Sequence, residues 1–376
     1  MSGQQQQGLQ MPSSSPPPAS PGRRSISRRD LLIGGAAAAA GIYVTGSSLW
    51  WTNTLHPQYI YRGHTGAVNT VGWSPDGKRI ASGSDDNTIH MWKTADGSLD
   101  YIYYGHTDIH TYEPATEANS HVSVGKLVWS PDGRYIASSA TDCTVKVWQT
   151  SDGINSNFNL FPLSSDNASI PIAWSADSQL IALGYWDNAN ETPTVWIWNV
   201  VSDKYPSNFY GHTDTISAVA WSPDNKLIAT ASNDLSVRIW NAKTGVSNFR
   251  INCDKNTDAI AWSPDSKHIA YLQQNSVLIL DASTGIAVNN WPEVGLDKPI
   301  AWSPNGKWIA TAISPFWLPG IHLVRIRDVS SGAHYCTYSE HQDRVNSITW
   351  SPDSTRIASA DQAKTIHVWE PRKSLL

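Results

Sequence analysis

The chain has 376 residues, of which 40% are hydrophobic and 16% are charged, and its formal net charge is -5. This composition can form a large core and is not that of a disordered chain. The negative charge argues against a nucleic-acid-binding protein, because such proteins carry a basic face that neutralises phosphates.

The first 51 residues differ from the rest. Residues 1–22 are rich in Gln, Ser and Pro, so we expect a disordered tail there. In residues 23–51, four arginines precede an apolar run from Leu31 to Val44, which is typical of an export signal. The piece "SRRDLLIG" resembles the twin-arginine export signal of bacteria, with Arg28 and Arg29 as the pair.

The apolar run leaves two outcomes open. From Leu31 to Val44 it has the length of a signal that is cleaved, whereas continued to Trp51 it is just long enough to span a membrane. We therefore expect the folded part to lie outside the cytoplasm, in the cell envelope. It is either exported or anchored through residues 31–51.

Residues 56–62, "HPQYIYR", form one short predicted strand. Tyr59 and Tyr61 fall on one face and Ile60 on the other, because side chains alternate along a strand. No preceding segment reads as a strand that could pair with it.

From this point the chain repeats one phrase seven times, beginning with "GWSPDGKRIAS" and ending with "TWSPDSTRIAS". Each repeat reads as four strands: an apolar strand ending in Trp, a turn such as "SPDG", a second strand, a polar turn, a third strand and a fourth. Four strands in each unit of 40 to 56 residues describe the blade of a propeller. The repeat tryptophans are Trp73, Trp129, Trp174, Trp221, Trp262, Trp302 and Trp350.

The seventh repeat stops after its third strand, "TIHVW", with no room for a fourth. The early strand at 56–62 is the missing one. We predict that it pairs with the three C-terminal strands and closes the ring, so that no blade edge stays open.

These repeats resemble the WD-repeat (Trp-Asp repeat) family from about residue 55 to residue 376. The resemblance implies an all-β fold, a seven-bladed β-propeller of four-stranded antiparallel blades. It also implies, in well-formed blades, a hydrogen-bonded tetrad of His, Ser or Thr, Asp and Trp. The matching sets are His64, Ser82, Asp86 and Trp92; His106, Ser138, Asp142 and Trp148; and His212, Thr230, Asp234 and Trp240.

The other repeats depart from the tetrad. The seventh keeps His341, Ser359 and Trp369 but has Ala363 where the Asp is expected, and Leu280 and Arg327 replace the Trp in the fifth and sixth. We expect blades 5 and 6 to be the least stable. The recurrence of His and Asp at fixed blade positions favours a structural role over a catalytic one.

Loop lengths give the functional prediction. Every long insertion falls on one side of the predicted ring, the top face, in blades 2, 3 and 6, while the turns on the bottom face hardly vary. Variable loops on one face are typical of a binding surface. The candidate partner-binding residues are Tyr112, Glu113, Tyr185, Trp186, Asp187, Phe316 and Trp317.

The sequence thus predicts a non-catalytic, monomeric protein-interaction scaffold that binds other proteins and no nucleic acid. A small-ligand or glycan-binding sensor that uses the same aromatics is the alternative. A propeller hydrolase is remote, because the positions around the channel offer one acid, Asp258, and one lysine, Lys298. We expect no cofactor, no metal site and no catalytic residue, and Cys143, Cys253 and Cys336 have no metal-ligand or disulfide spacing.

Overall fold

The structure is a computed structural model that describes residues 55–106, 122–151, 155–160, 170–187, 190–255 and 257–372. Of residues 155–160, 205 and 206 it describes the backbone alone. The predicted tail at 1–22 and the predicted signal at 23–51, with Arg28 and Arg29, lie outside these residues. Twenty-eight strands form seven antiparallel sheets of four strands in the described residues.

The blades follow the seven repeats in order. Blades 1 and 2 consist of β2 Val68–Trp73, β3 Arg79–Ser84, β4 Ile89–Lys93, β5 Leu99–Tyr103, β6 Val124–Trp129, β7 Tyr135–Ala140, β8 Val145–Gln149 and β9 Asn155–Leu160. Blades 3 and 4 consist of β10 Ile172–Trp174, β11 Leu180–Asp187, β12 Thr192–Asn199, β13 Lys204–Tyr210, β14 Ile216–Trp221, β15 Leu227–Ser232, β16 Ser236–Asn241 and β17 Ser247–Asn252.

Blades 5 and 6 consist of β18 Ile260–Trp262, β19 His268–Gln273, β20 Ser276–Asp281, β21 Ala287–Pro292, β22 Leu296–Trp302, β23 Trp308–Ile313, β24 His322–Asp328 and β25 His334–His341. Blade 7 consists of β26 Val345–Trp350, β27 Ile357–Asp361, β28 Ile366–Trp369 and the N-terminal β1 Tyr59–Tyr61. The first strands pack side by side around a central channel, from β2 through β26 and back to β2. The predicted seven-bladed propeller is confirmed.

Ring closure takes place as predicted. β1 pairs with β28 in antiparallel register, with Tyr59 opposite Val368 and Tyr61 opposite Ile366. The pairing extends one residue further, because the Gln58 amide donates to the Val368 carbonyl over 2.7 Å. The N-terminal strand therefore completes the seventh blade.

The repeat tryptophans join neighbouring blades as well as filling the core. In four repeats the indole Nε1 donates to a carbonyl in the first strand of the preceding blade. The pairs are Trp129 with Gly72 (3.0 Å), Trp174 with Val128 (3.2 Å), Trp262 with Ala220 (3.0 Å) and Trp350 with Ala301 (3.2 Å). A Trp in this place is apolar enough to pack between sheets and still offers a donor, which explains why the repeat uses it.

The turns on the bottom face also link blades. The last residue of each "SPDG"-type turn has a positive φ. Where it is Ser178, Ser266 or Ser354, its hydroxyl accepts a backbone N–H from the preceding blade over 3.0 Å. Where the residue is Gly133, an added side chain would meet Pro75 of the preceding blade. A Ser in place of Gly in this phrase therefore adds a hydrogen bond between neighbouring blades.

Candidate interaction face and channel

The long loops follow the second strands of blades 3 and 6 and the Gly-His pair of blade 2, which places them on the face opposite the "SPDG" turns. Of the seven candidate partner-binding residues, Tyr112 and Glu113 lie in the blade 2 loop at 107–121, outside the described residues. Phe316 and Trp317 lie in the loop of blade 6. Tyr185, Trp186 and Asp187, which the sequence predicts in a loop, lie instead at the end of β11, where they pair with β12 in a long hairpin of blade 3.

In blade 3 two of the three candidates support their own hairpin. The Tyr185 ring packs on Trp196 with 4.6 Å between centroids, as part of a core cluster. The Asp187 carboxylate accepts from the backbone N–H of Asn190 (3.3 Å) and from its side-chain amide (2.6 Å). Trp186, like Tyr185, lines the central channel. Of these three residues of β11, Trp186 is the one that remains a candidate for contact with a partner.

In blade 6 the two aromatics project into solvent. Phe316 is 80% exposed and Trp317 is 47% exposed. Their rings meet edge to face, with centroids 4.8 Å apart and an interplanar angle of 87°. The pair forms a small apolar surface, which we call the blade 6 patch.

Other residues hold the loop that carries this patch. The Ser314 backbone N–H donates to the Gly295 carbonyl over 2.8 Å, and the Ser314 hydroxyl donates to the Asp297 carboxylate over 2.5 Å. Asp297 in turn pairs with Arg344 over 3.0 Å. Sequence reasoning missed these supports, because Asp297 and Arg344 come from different blades and meet only in the ring. The blade 6 patch is thus presented by a loop that does not depend on Phe316 or Trp317 for its shape.

Three tetrad histidines lie where the resemblance implies. In blades 1, 2 and 4 the His Nδ1 lies 2.9 Å from the Asp carboxylate, and His Nε2 lies 2.7–2.8 Å from the Ser or Thr hydroxyl. The Trp240 indole completes the blade 4 tetrad by donating to Thr230 over 2.8 Å. Trp92 and Trp148 have no hydrogen-bond partner for Nε1 within the described residues. In blades 1 and 2 the hydrogen bonds thus link the His, the Asp and the Ser of the tetrad but not the Trp.

The expectation that blade 7 lacks the Asp is wrong. Asp361 fills the role of the residue expected at Ala363, and its carboxylate lies 2.8 Å from His341 Nδ1. His341 also contacts Ser359 over 2.7 Å, and Trp369 donates to Ser359 over 3.1 Å. Asp361 comes two residues after Ser359 rather than four, so alignment by position alone misses it. Blade 7 therefore has a complete tetrad.

A second histidine stacks on the tetrad histidine in blades 1 and 7. The ring centroids of His64 and His90 are 3.9 Å apart, and those of His341 and His367 are 4.2 Å apart. The Nδ1 of each second histidine is hydrogen-bonded to a tyrosine hydroxyl, that of His90 to Tyr61 over 2.7 Å and that of His367 to Tyr338 over 2.6 Å. Both groups contain His and Asp close enough to suggest a metal. Both nitrogens of His64, His341 and His367 are already hydrogen-bonded, as is Nδ1 of His90. Stacked rings do not direct two lone pairs at one ion, which favours a structural role.

Burial, together with the charge of the neighbouring His64, lowers the pKa of His90 to about 4 against the opposing effect of Asp86. Burial and the charge of His341 likewise lower the pKa of His367, against the effect of Asp361. Arg62 acts on His367 in the same direction as His341. Both second histidines are therefore neutral in the folded protein at neutral pH.

We expect acid to destabilise the propeller through His90 and His367. As the pH falls below the ordinary histidine pKa of about 6.5, the unfolded chain takes up protons that the folded chain does not, so stability falls by up to about 1.4 kcal/mol per pH unit for each residue. Chemical unfolding at pH 7.0 to 4.5 measures this slope. The double variant His90→Asn plus His367→Asn should flatten it. The single variant His268→Asn, outside both clusters, should leave the slope unchanged, and an equal slope in all three proteins contradicts the assignment.

The central channel has a volume of about 870 Å³. The seven residues that stand four before each repeat Trp all line it. They are Asn69, Gly125, Ile170, Ser217, Asp258, Lys298 and Asn346. Asp258 pairs with Lys298 over 3.1 Å, so the single carboxylate in this set is paired with a cation and not with a second acid.

No helix long and apolar enough to cross a membrane occurs among the residues that the structure describes.

Comparison with known proteins adds four repeat matches and several relatives. Residues 55–93, 112–149, 204–241 and 332–370 match the family "WD domain, G-beta repeat". The chain is 24% identical over 330 residues to apoptotic protease-activating factor 1 of Danio rerio, which covers 87% of this chain and 25% of that protein. It is 29% identical over 189 residues to cell division cycle 20.1, cofactor of APC complex, of Arabidopsis thaliana, covering 48% of this chain and 37% of that protein.

A third relative is protein HIRA of Dictyostelium discoideum, 29% identical over 194 residues, which cover 50% of this chain and 13% of that protein. The chain therefore spans a minor part of the length of these relatives. The repeat matches, the relatives and the seven-bladed ring together support a WD-repeat propeller.

Proposed function

We propose that this propeller is a non-catalytic scaffold that binds other proteins through its top face, with the blade 6 patch as the main contact. One observation carries the proposal: Phe316 and Trp317 are exposed together on a loop that other residues hold in place. Large aromatics on a preformed surface lose little conformational freedom on binding, and such residues dominate the binding energy of protein interfaces.

The relatives support the same role. One is named as a cofactor of a complex and another as a protease-activating factor, and both names describe proteins that act on other proteins. The family match is to a repeat and indicates no catalytic class. The blade 6 patch also projects from the surface instead of closing around a pocket, which favours a protein partner over a glycan or another small ligand.

We also propose that the chain is exported or anchored in a membrane by residues 23–51. The arginine pair, Arg28 and Arg29, and the apolar run that follows it support this.

Replacing Phe316 and Trp317 together with alanine is expected to weaken partner binding by about 30-fold, the effect of removing an interface hot spot of about 2 kcal/mol. The melting temperature should stay the same, because neither ring is part of the core. Quantitative pull-downs from separate envelope and cytoplasmic fractions, with each variant as bait, measure the loss of partners. The fraction that supplies the partners tests the location.

A matched control is the double variant Val246→Ala plus Ile286→Ala. These residues are 61% and 66% exposed and follow turns on the bottom face. The control should keep every partner that the wild type binds. Partners lost equally from both variants, or kept by both, refute the assignment of the contact to the top face.

A further inference from the structure

One lysine in the channel stands apart from the repeat pattern. Lys126 lies on β6, three residues before its repeat Trp, and lines the channel. The other six repeats have small residues or prolines at this place, namely Thr70, Pro171, Ala218, Ala259, Pro299 and Ser347. Because these side chains are short, the channel has room for a long cationic side chain from blade 2.

The remaining charges of the channel wall are already paired. Lys298 lies 3.1 Å from Asp258. Arg344 lies 3.0 Å from Asp297. The Asp85 carboxylate accepts hydrogen bonds from the side chains of Asn69 and Ser123 over 2.6 Å and 2.5 Å. Among the described residues, no carboxylate lies within ion-pair distance of Lys126.

Among the described residues, Lys126 is thus the cation of the channel wall without a carboxylate partner. The charged residues of the wall are Lys126, Lys298, Arg344, Asp85 and Asp258. Lys298 and Arg344 each have a carboxylate partner. An unpaired ammonium in a cavity of about 870 Å³ is a suitable partner for an anionic group, and this volume falls in the range of small-ligand sites.

We propose that the central channel binds a small molecule that bears carboxylate or phosphate groups, with Lys126 as the principal contact and Lys298 as a second one. Lys126 reaches the channel from blade 2, whereas Lys298 belongs to blade 6, so an anion between them contacts two separate parts of the ring. This site is distinct from the blade 6 patch, since neither Phe316 nor Trp317 lines the channel.

The electrostatics of Lys126 agree with this geometry. The protein atoms around the channel lower the pKa of Lys126 although the residue is exposed to solvent, and the charge of Lys298 lowers it further against the opposing effect of Asp258. The two lysines are thus close enough to repel each other. A bound anion offsets this repulsion, so binding is expected to raise the pKa of Lys126.

The test uses the full chain with its lysines dimethylated with carbon-13, which keeps their charge and gives each a separate NMR signal. The variant Lys126→Thr, which introduces the residue that blade 1 has at this place, identifies the Lys126 signal. Citrate and inorganic phosphate are titrated separately at constant ionic strength, with sodium chloride as the reference, because salt alone screens charges. We expect a saturable shift of the Lys126 signal with citrate, phosphate or both, which also separates carboxylate from phosphate recognition.

Calorimetric titration supplies the affinity. Lys126→Thr is expected to weaken binding by about tenfold or more, the equivalent of one lost charge-assisted hydrogen bond. Lys226→Thr, which removes a lysine that is 79% exposed on a bottom-face turn, should bind like the wild type. A Lys126 signal that moves no further than it does in sodium chloride overturns the proposal. Equal affinity of the wild type and a folded Lys126→Thr variant does so too.

Discussion

Deleting residues 56–62 is expected to lower the melting temperature of the whole propeller in a single cooperative transition. β1 completes blade 7, so its loss exposes the unpaired edge of β28. It also removes contacts with blade 1. Tyr61 stacks on Trp92 with 5.2 Å between centroids and a 3° angle, and the Tyr59 hydroxyl donates to the Thr94 carbonyl over 3.1 Å. One short strand thus joins the first and last blades.

A point variant separates the two contributions. Tyr61→Ala keeps the backbone pairing and removes the side chain against blade 1, and we expect it to lower the free energy of unfolding by about 3–5 kcal/mol, the range for large buried aromatics. Ile60→Ala, on the same strand but the opposite face, should cost about 1 kcal/mol because Ile60 is only half-buried. Chemical unfolding measures both. A deletion variant that melts like the wild type contradicts closure of the ring by β1. Equal effects of Tyr61→Ala and Ile60→Ala would mean that the backbone pairing, and not the contact of Tyr61 with blade 1, supplies the stability.

The architecture was predictable because the same sequence pattern occurs seven times. Each phrase has a strand period, a turn of the "SPDG" type and a Trp at the end of its first strand. The count of strands then required the early strand at 56–62 to close the ring. Residues 58 to 61 pair with blade 7 as that reasoning predicted.

The site was less predictable, because exposure depends on contacts between residues far apart in the chain. The sequence predicts Tyr185 and Phe316 in top-face loops, yet Tyr185 lies in β11 and packs on Trp196 while Phe316 is 80% exposed. Lys126 looks like an ordinary strand residue until the ring places it in the channel. Asp361 escaped detection for a different reason, since a carboxylate can reach the same histidine from two positions along the strand.

The same limit applies to blade 6, where the sequence shows only that Arg327 replaces the tetrad Trp. The structure places Glu293 between Arg325 and Arg327. The Arg325 guanidinium donates to one carboxylate oxygen of Glu293, and Arg327 donates to the other over 2.6 Å and 3.1 Å. Arg327 also donates to the Gly332 carbonyl over 2.9 Å. This triad holds the third strand of blade 6 against the end of blade 5. That blades 5 and 6 are the least stable stays a prediction.

Glu293→Gln is expected to destabilise the propeller by about 3 kcal/mol, because it leaves two guanidinium groups facing each other without a carboxylate. Glu293 is 5% exposed, while the side chains of Arg325 and Arg327 are 28% and 18% exposed. Because solvent reaches the two arginines, the expected loss lies at the lower end of the range of about 3–5 kcal/mol for breaking a buried ion pair. Hydrogen exchange should show the loss first in blades 5 and 6, and chemical unfolding gives its size.

Two further variants distinguish the triad from a general loss of charge. Asp258→Asn removes a carboxylate from a more exposed ion pair and should cost less than about 1 kcal/mol. Adding Arg327→Met to Glu293→Gln removes one of the two cations that have lost their carboxylate. The loss of unfolding free energy in the double variant should therefore be smaller than the sum of the losses in the two single variants. Additive effects, or a Glu293→Gln variant as stable as Asp258→Asn, contradict the view that this triad takes the place of a tetrad in blade 6.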